Sequence, residues 1–336
     1  MGTNYEMGSK TLILANRMNS ATSGQQPHKG ILLCIAALFL LACMDCTIKY
    51  LAMRYNVPLV VAIRYIINFL LMVAVMAPKR SKQMIATNRT GLVIVRSLCL
   101  VCASLFLGLA LQRMPLAETT AIIFLAPMLV VLVAGRLLGE QVGVLGWVAA
   151  IGGFAGVLLI VRPGSGLDLT GVACALGMVA ALAGYQLLSR LLARTEQTIA
   201  LLFYSTLAGV ICFGLVLPWY WEGQTPPPWQ VFLFISMGIS GGLGHFLYTA
   251  AYRHASASLL APITYLQLLF AVFLSWMVFD HVPDSITILG MFVVAACGVM
   301  IALKSRFPEQ KFSLRGLADT WSSFDTLAKI RIFMRK

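Results

Sequence analysis

Charge is what this sequence lacks. Of its 336 residues only 11% are Asp, Glu, Lys or Arg, against about a quarter in an ordinary soluble domain. Hydrophobic residues make up 60%, and the mean hydropathy is +0.87. A soluble single-core fold is excluded by that balance. Histidine is scarce too, at 4 residues. No His-Glu-x-x-His pair and no P-loop occur, so neither zinc hydrolysis nor direct use of ATP is encoded. The sequence predicts no enzyme and no cofactor.

What is present is a series of long apolar runs. Ten spans are read at approximately 30–52, 57–77, 91–112, 116–136, 143–161, 170–190, 198–218, 229–252, 257–279 and 286–304. Each is near the length needed to cross a bilayer as a helix. The predicted fold is all-α, a polytopic membrane protein. Flanking these spans are a polar N-terminal tail, 1–29, and a basic C-terminal tail, 305–336. No cleavable signal peptide is apparent, and Met18 opens a second plausible start. In the C-terminal tail Leu314, Leu317, Trp321, Phe324 and Leu327 recur at helical spacing, which suggests an amphipathic helix on the membrane surface.

The net charge of +13 follows topology rather than nucleic acid. With the N-terminus inside, 19 of the 25 basic residues fall in cytoplasmic segments, and only Arg54, Arg113 and Arg162 fall outside. That asymmetry predicts N-in and C-in, an even number of spans and attraction to anionic lipid at the cytoplasmic face of the inner membrane. A homodimer stays open. Cys43-Met-Asp-Cys46 and Cys99-Leu-Val-Cys102 invite a metal reading. No histidine completes either site, and cysteine packs well as a small apolar residue between helices, so no metal is expected.

An internal repeat organises the chain. Residues 30–52 lie over 171–193 at an offset of 141, pairing Gly30 with Gly171, Asp45 with Gln186 and Lys49 with Arg190. Residues 110–140 lie over 250–280 at an offset of 140, pairing Arg113 with Arg253 and Glu140 with Asp280. Each copy, 30–164 and 165–304, holds five spans. An odd number inverts the second copy, an arrangement associated with secondary transporters.

The stretch 96–164 then resembles the EamA branch of the drug/metabolite transporter superfamily. Arg96, Pro115-Leu-Ala-Glu118, Ala126-Pro127, Gly139-Glu140, the GGFAG run and Arg162-Pro163-Gly164 carry the resemblance. The second copy has a looser version, with Ala261-Pro262 and Asp280. The resemblance implies ten transmembrane helices, a central cavity between the halves and alternating-access transport of a small organic solute. Residues 261–290 look like a subgroup with riboflavin and S-adenosylmethionine carriers, so uptake of a vitamin or nucleotide-like solute is the first expectation. Proton-coupled export of amino acids, metallophores or drugs is the alternative. An intramembrane enzyme or a lipid-carrier flippase is the rival from another class; the serine in RPGSG, 162–166, reads as part of a turn.

Charges at bilayer depth cost about 2.5–3.5 kcal/mol each and so mark candidate sites. Asp45 and Lys49 share one helix face, and Arg64 reaches a depth similar to that of Asp45. Asp45 is expected either to be neutralised by Lys49 or Arg64, or to meet substrate or a proton. Lys49 is shallower and is expected to snorkel outward as an interfacial anchor. Arg96 is read as an anion contact or as an anchor of its span. Tyr65, Asn68, Tyr185, Gln186, His245, Tyr248, Tyr265, Gln267 and Trp276 are further candidates. Tyr185-Gln186 and Tyr265-x-Gln267 combine aromatic faces and amide edges suited to a flat heterocycle. Glu118 is expected at the mouth of the fourth span, where the helix dipole favours an acid, and Glu140 is expected to be structural.

Overall fold

The computed structural model describes residues 27–137, 144–162, 166–192, 195–221, 223, 225–255, 259–260 and 263–304. Gly139-Glu140, Ala261-Pro262, the side chain of Arg190 and both tails lie outside the described residues.

Among those residues every regular element is helical. Hydrocarbon offers no partner to a backbone N–H or C=O, so an apolar chain satisfies both within helices. The helices are α1 Pro27–Ala52, α2 Val57–Ile85, α3 Thr90–Arg113, α4 Leu116–Ile123, α5 Ala126–Leu137, α6 Val144–Ile160, α7 Leu169–Leu192, α8 Thr198–Tyr220, α9 Pro228–His254, α10 Leu266–Phe279 and α11 Ser285–Lys304. Six of them, α1, α2, α3, α7, α8 and α9, are long and apolar enough to cross a membrane. Four shorter apolar stretches accompany them, at 116–130, 146–160, 266–279 and 285–300. Large side chains such as Leu215, Trp219, Phe232 and Phe292 stand exposed on the flanks, as expected of a surface facing lipid. This is a multi-pass helical membrane protein.

Two of the expected spans are broken. The fourth stops at Ile123 and resumes at Ala126. Pro127 cannot donate to the carbonyl of Ile123, and its ring crowds that carbonyl. The backbone tightens there, with Phe124 at ψ −3° and Leu125 N–H bonded to Ile122 O three residues back. The ninth span shows the same event around Tyr265, at ψ −12°, with the N–H of Gln267 on Thr264 O and that of Leu268 on Tyr265 O. Adding the repeat offset of 140 carries Phe124-Leu125 onto Thr264-Tyr265.

The packing pairs the two copies. α1 lies along α9, α3 along α7, α2 along α8 and α6 along α11. Membrane helices gain little hydrophobic drive from meeting each other, so close approach through small residues matters. A Cβ on Gly156 would fall 2.9 Å from Gly290 O, and one on Gly290 would fall 2.6 Å from Gly156 O. α6 and α11 therefore meet backbone to backbone. The GGFAG run is a packing surface.

Candidate functional site

Asp45 lies two-thirds of the way along α1, with 8% of its surface exposed. Its Oδ2 accepts a hydrogen bond from Gln267 Nε2 at 3.3 Å, and its Oδ1 has no partner. Gln267 stands in the first turn of α10, so the carboxylate sits beside that helix's N-terminus, whose dipole favours an anion. The break before α10 is what brings a helix N-terminus to the interior.

Arg64 of α2 is buried as well, and its Nε has no partner. The guanidinium carbon stands 5.0 Å from the centre of the Tyr65 ring. Its charge reaches both Asp45 and His245 of α9, yet among the described residues no ion pair closes between Arg64 and Asp45. One turn along α2, Asn68 Oδ1 is buried without a partner, beside the glycine backbone of α9 at Gly241 and Gly242. His245 combines an accessible surface with a place inside the bundle near Arg64. Asp45, Arg64, Asn68, His245 and Gln267 thus converge from four helices.

Lys49 behaves differently from the snorkelling anchor the sequence suggested. It is buried, and its Nζ donates to Leu111 O at 3.0 Å and to Met114 O at 2.7 Å, with the Phe279 ring 5.2 Å away. The last turn of α3 presents unsatisfied carbonyls and the negative end of its dipole, and the ammonium caps them. A cation with that sink nearby has no need to reach water.

Arg96 is buried and nearly saturated. Nε donates to Ser189 Oγ at 2.7 Å, Nη1 to Leu201 O at 3.0 Å and Ser205 Oγ at 2.8 Å, and Nη2 to Tyr185 OH at 2.8 Å. The guanidinium also covers the Tyr185 ring at 4.3 Å. It ties α3 to α7 and α8. In this conformation the anchor reading fits it, because little hydrogen-bonding capacity is left for an anion.

The remaining candidates divide. Tyr65 is buried and bonded to Ser104 Oγ at 2.8 Å, with its ring stacked on Phe213. Tyr265 stacks on Phe124 at 4.7 Å and packs against Gly298. Gln186 is half-buried on α7. Tyr248 shares a hydroxyl contact of 3.0 Å with Tyr252. Trp276 is 55% exposed on the flank beside Phe273, an orientation toward lipid. Tyr185 has one face against Arg96 and Tyr265 one face against Phe124, and no contact joins the two tyrosines among the described residues. The eight cysteines are unpaired, and the described residues hold no group suited to a metal ion. A separate, mostly apolar cavity of about 460 Å³ opens among α2, α3 and α8, lined by Val101, Leu105, Leu109, Gln112 and Phe213. None of the candidate residues reaches it.

Sequence reasoning missed one pairing. Glu118, expected at a helix mouth, is buried, and its Oε1 lies 2.8 Å from His281 Nε2. His281 follows Asp280, the repeat mate of Glu140, and that adjacency was the available signal.

A bundle of apolar helices that buries Asp45 and Arg64 without an ion pair between them among the described residues has the build of a membrane carrier. The chain belongs to the EamA-like transporter family, which it matches twice, over residues 28–162 and 169–303. It is a small-molecule transporter and not an enzyme. Over 281 residues it is 26% identical to the pseudopaline exporter of Pseudomonas aeruginosa, covering 80% of this chain and 94% of that protein. It is 25% identical to the riboflavin transporter of Vibrio cholerae over 80% of this chain and 91% of that one. Identity is also 25% to the S-adenosylmethionine uptake transporter of Rickettsia conorii, over 63% and 72% respectively. A solved crystal structure shares the fold at a TM-score of 0.60, with 18% identity, covering 84% of this chain and 99% of that one.

Proposed function

We propose that this protein is a secondary transporter that exports a small amphoteric organic solute, one bearing both an ammonium and a carboxylate, as amino acids and metallophores do. The observation that carries this is the pair Asp45 and Arg64. Both are buried, each keeps an atom without a partner, and they do not close on one another. An isolated buried charge is costly, so such a pair suits a ligand that supplies both opposite charges. Asn68 and His245 add polar contacts. The pseudopaline exporter as a relative over nearly its whole length agrees with this reading. Riboflavin or S-adenosylmethionine uptake has less support, because Tyr185 and Tyr265 each have one ring face already against another side chain.

The carrier is two inverted five-helix repeats, 30–164 and 165–304, lying N-in and C-in in the inner membrane. The two separate family matches, the exchange of α1–α9 for α7–α3 packing and the twin helix breaks support that arrangement. The basic composition of the segment 305–336 favours anionic lipid at the cytoplasmic face.

Proteoliposomes loaded with labelled amino acids and flavin, with and without a pH gradient, test the reading. Saturable flux of an amphoteric solute is expected, and it should be competed by other amphoteric solutes more than by a monovalent acid or amine. Flux of flavin alone would overturn the substrate class. An absence of flux for every solute would count against transport itself.

A further inference from the structure

At the face of the bundle where α1, α3 and α10 end, a largely buried contact joins the two copies. Glu118 stands in the first turn of α4, its side chain only 5% exposed, and Oε1 bonds His281 Nε2 at 2.8 Å. Its other oxygen has no partner. Lys49 lies near enough to feel the carboxylate's charge but is engaged by the carbonyls of α3. His281 follows the end of α10, where Asp280 takes φ 49°, ψ 25°. Asp280 is the one non-glycine residue with positive φ among the described residues. That conformation costs about 1 kcal/mol or more and persists where its surroundings hold it. It turns the chain so that His281 N–H bonds Ser275 O at 3.2 Å and the imidazole faces Glu118.

We propose that the Glu118–His281 bond is a one-sided latch, holding this face of the carrier closed over Lys49 and the Asp45–Arg64 site. It rests on the alternating-access reading above. Lys49 stands one helical turn, roughly 6 Å, beyond Asp45 on the same face of α1. A path from this face to Asp45 passes between the starts and ends of α4, α1 and α10. Opening it separates α4 from α10 and strands a buried carboxylate with Lys49 as its nearest cation. The repeat gives the opposite face no such pair. Ser258 stands where Glu118 does, and the residues after Glu140 read QVGVLG, with no ionisable group. At that face the copies are joined instead by the Arg96 bonds to Ser189, Ser205 and Tyr185 and by Glu196, which accepts from the backbone N–H groups of Asn88 and Arg89, so the Glu118–His281 bond belongs to one face alone.

The test uses the purified full chain in detergent, with its eight cysteines replaced by alanine or serine and one reporter restored. Ser275→Cys, fully buried two turns below His281, reports this face. Ser97→Cys, buried near Arg96, reports the other. Glu118→Gln and His281→Gln are each expected to speed maleimide labelling at position 275 about tenfold, the scale of one lost charged hydrogen bond. Labelling at position 97 should stay unchanged or slow. An unchanged rate at 275 in either variant would overturn the latch, as would equal acceleration at both positions, which signals general loosening. The readout needs no substrate, so failure of the transport reading would show separately, in the flux panel.

Discussion

The ring of Phe124 lies on the ring of Tyr265, with centroids 4.7 Å apart and planes inclined by 29°. Each residue sits at a helix break, and the two breaks correspond through the sequence repeat. The stack joins the break of one copy to the break of the other at the centre of the bundle. Tyr265→Ala should cost about 3–5 kcal/mol, as large aromatic truncations in well-packed sites do. Tyr265→Phe, which keeps the ring, should cost less than about 1.5 kcal/mol. Denaturation midpoints in detergent distinguish the two. Equal loss in both variants would mean that the hydroxyl, and not the stack, matters.

Lys49 caps the C-terminus of α3 through Leu111 O and Met114 O. Lys49→Met keeps the aliphatic stem and removes the ammonium. It should destabilise the protein by about 1–2 kcal/mol, the scale of a partly buried charge at a helix terminus. A snorkelling lysine predicts almost no change. Thermal unfolding of the purified variant decides between them.

Arg96 is expected to act as a clamp. Arg96→Lys keeps the charge but cannot reproduce a planar fork toward Ser189, Ser205, Tyr185 and Leu201. Stability should fall by about 1–3 kcal/mol from the orphaned partners. Where protein remains folded, the KM for solute should be little altered. A large KM increase with normal stability would assign Arg96 to substrate.

Asp45→Asn and Arg64→Gln should leave folding near wild type and reduce flux of an amphoteric solute by about tenfold or more, since each removes a charged contact. The variants should fail differently. Asp45→Asn weakens recognition of the ammonium, and Arg64→Gln that of the carboxylate, so competition by monovalent amines and acids separates them. Parallel loss of folding and flux would make the pair structural.

Asp284 lies in the connection between α10 and α11. Bonds from Thr287, and then from Arg162, hold its carboxyl at about 2, below the usual value of 3.8. A depressed folded value adds stability above the unfolded value and loses it as pH falls through the folded one. The melting difference between wild type and Asp284→Asn should therefore be constant from pH 5 to 8 and shrink as pH falls from about 4 toward 2. A difference that grows on acidification would contradict this.

Hydropathy alone determined that the chain is a bundle of membrane helices, because burying a backbone in lipid leaves no alternative to helix. The lengths of the apolar runs set the expected spans, and α1, α3 and α8 lie within a few residues of them. Bilayer depth singled out Asp45 and Arg64 as candidates, and both are buried. What depth could not give is direction around each helix, and that angle is fixed by neighbours on other helices. Lys49 and Asp45 are one turn apart on one face, yet one caps α3 and the other keeps an unpartnered oxygen beside Arg64. Pro127 made a break foreseeable, but the stacking of Phe124 on Tyr265 depends on two segments 141 residues apart meeting in space. The same holds for Glu118 and His281. Periodicity in a chain records which residues leave water, and only the packed bundle decides which of them meet.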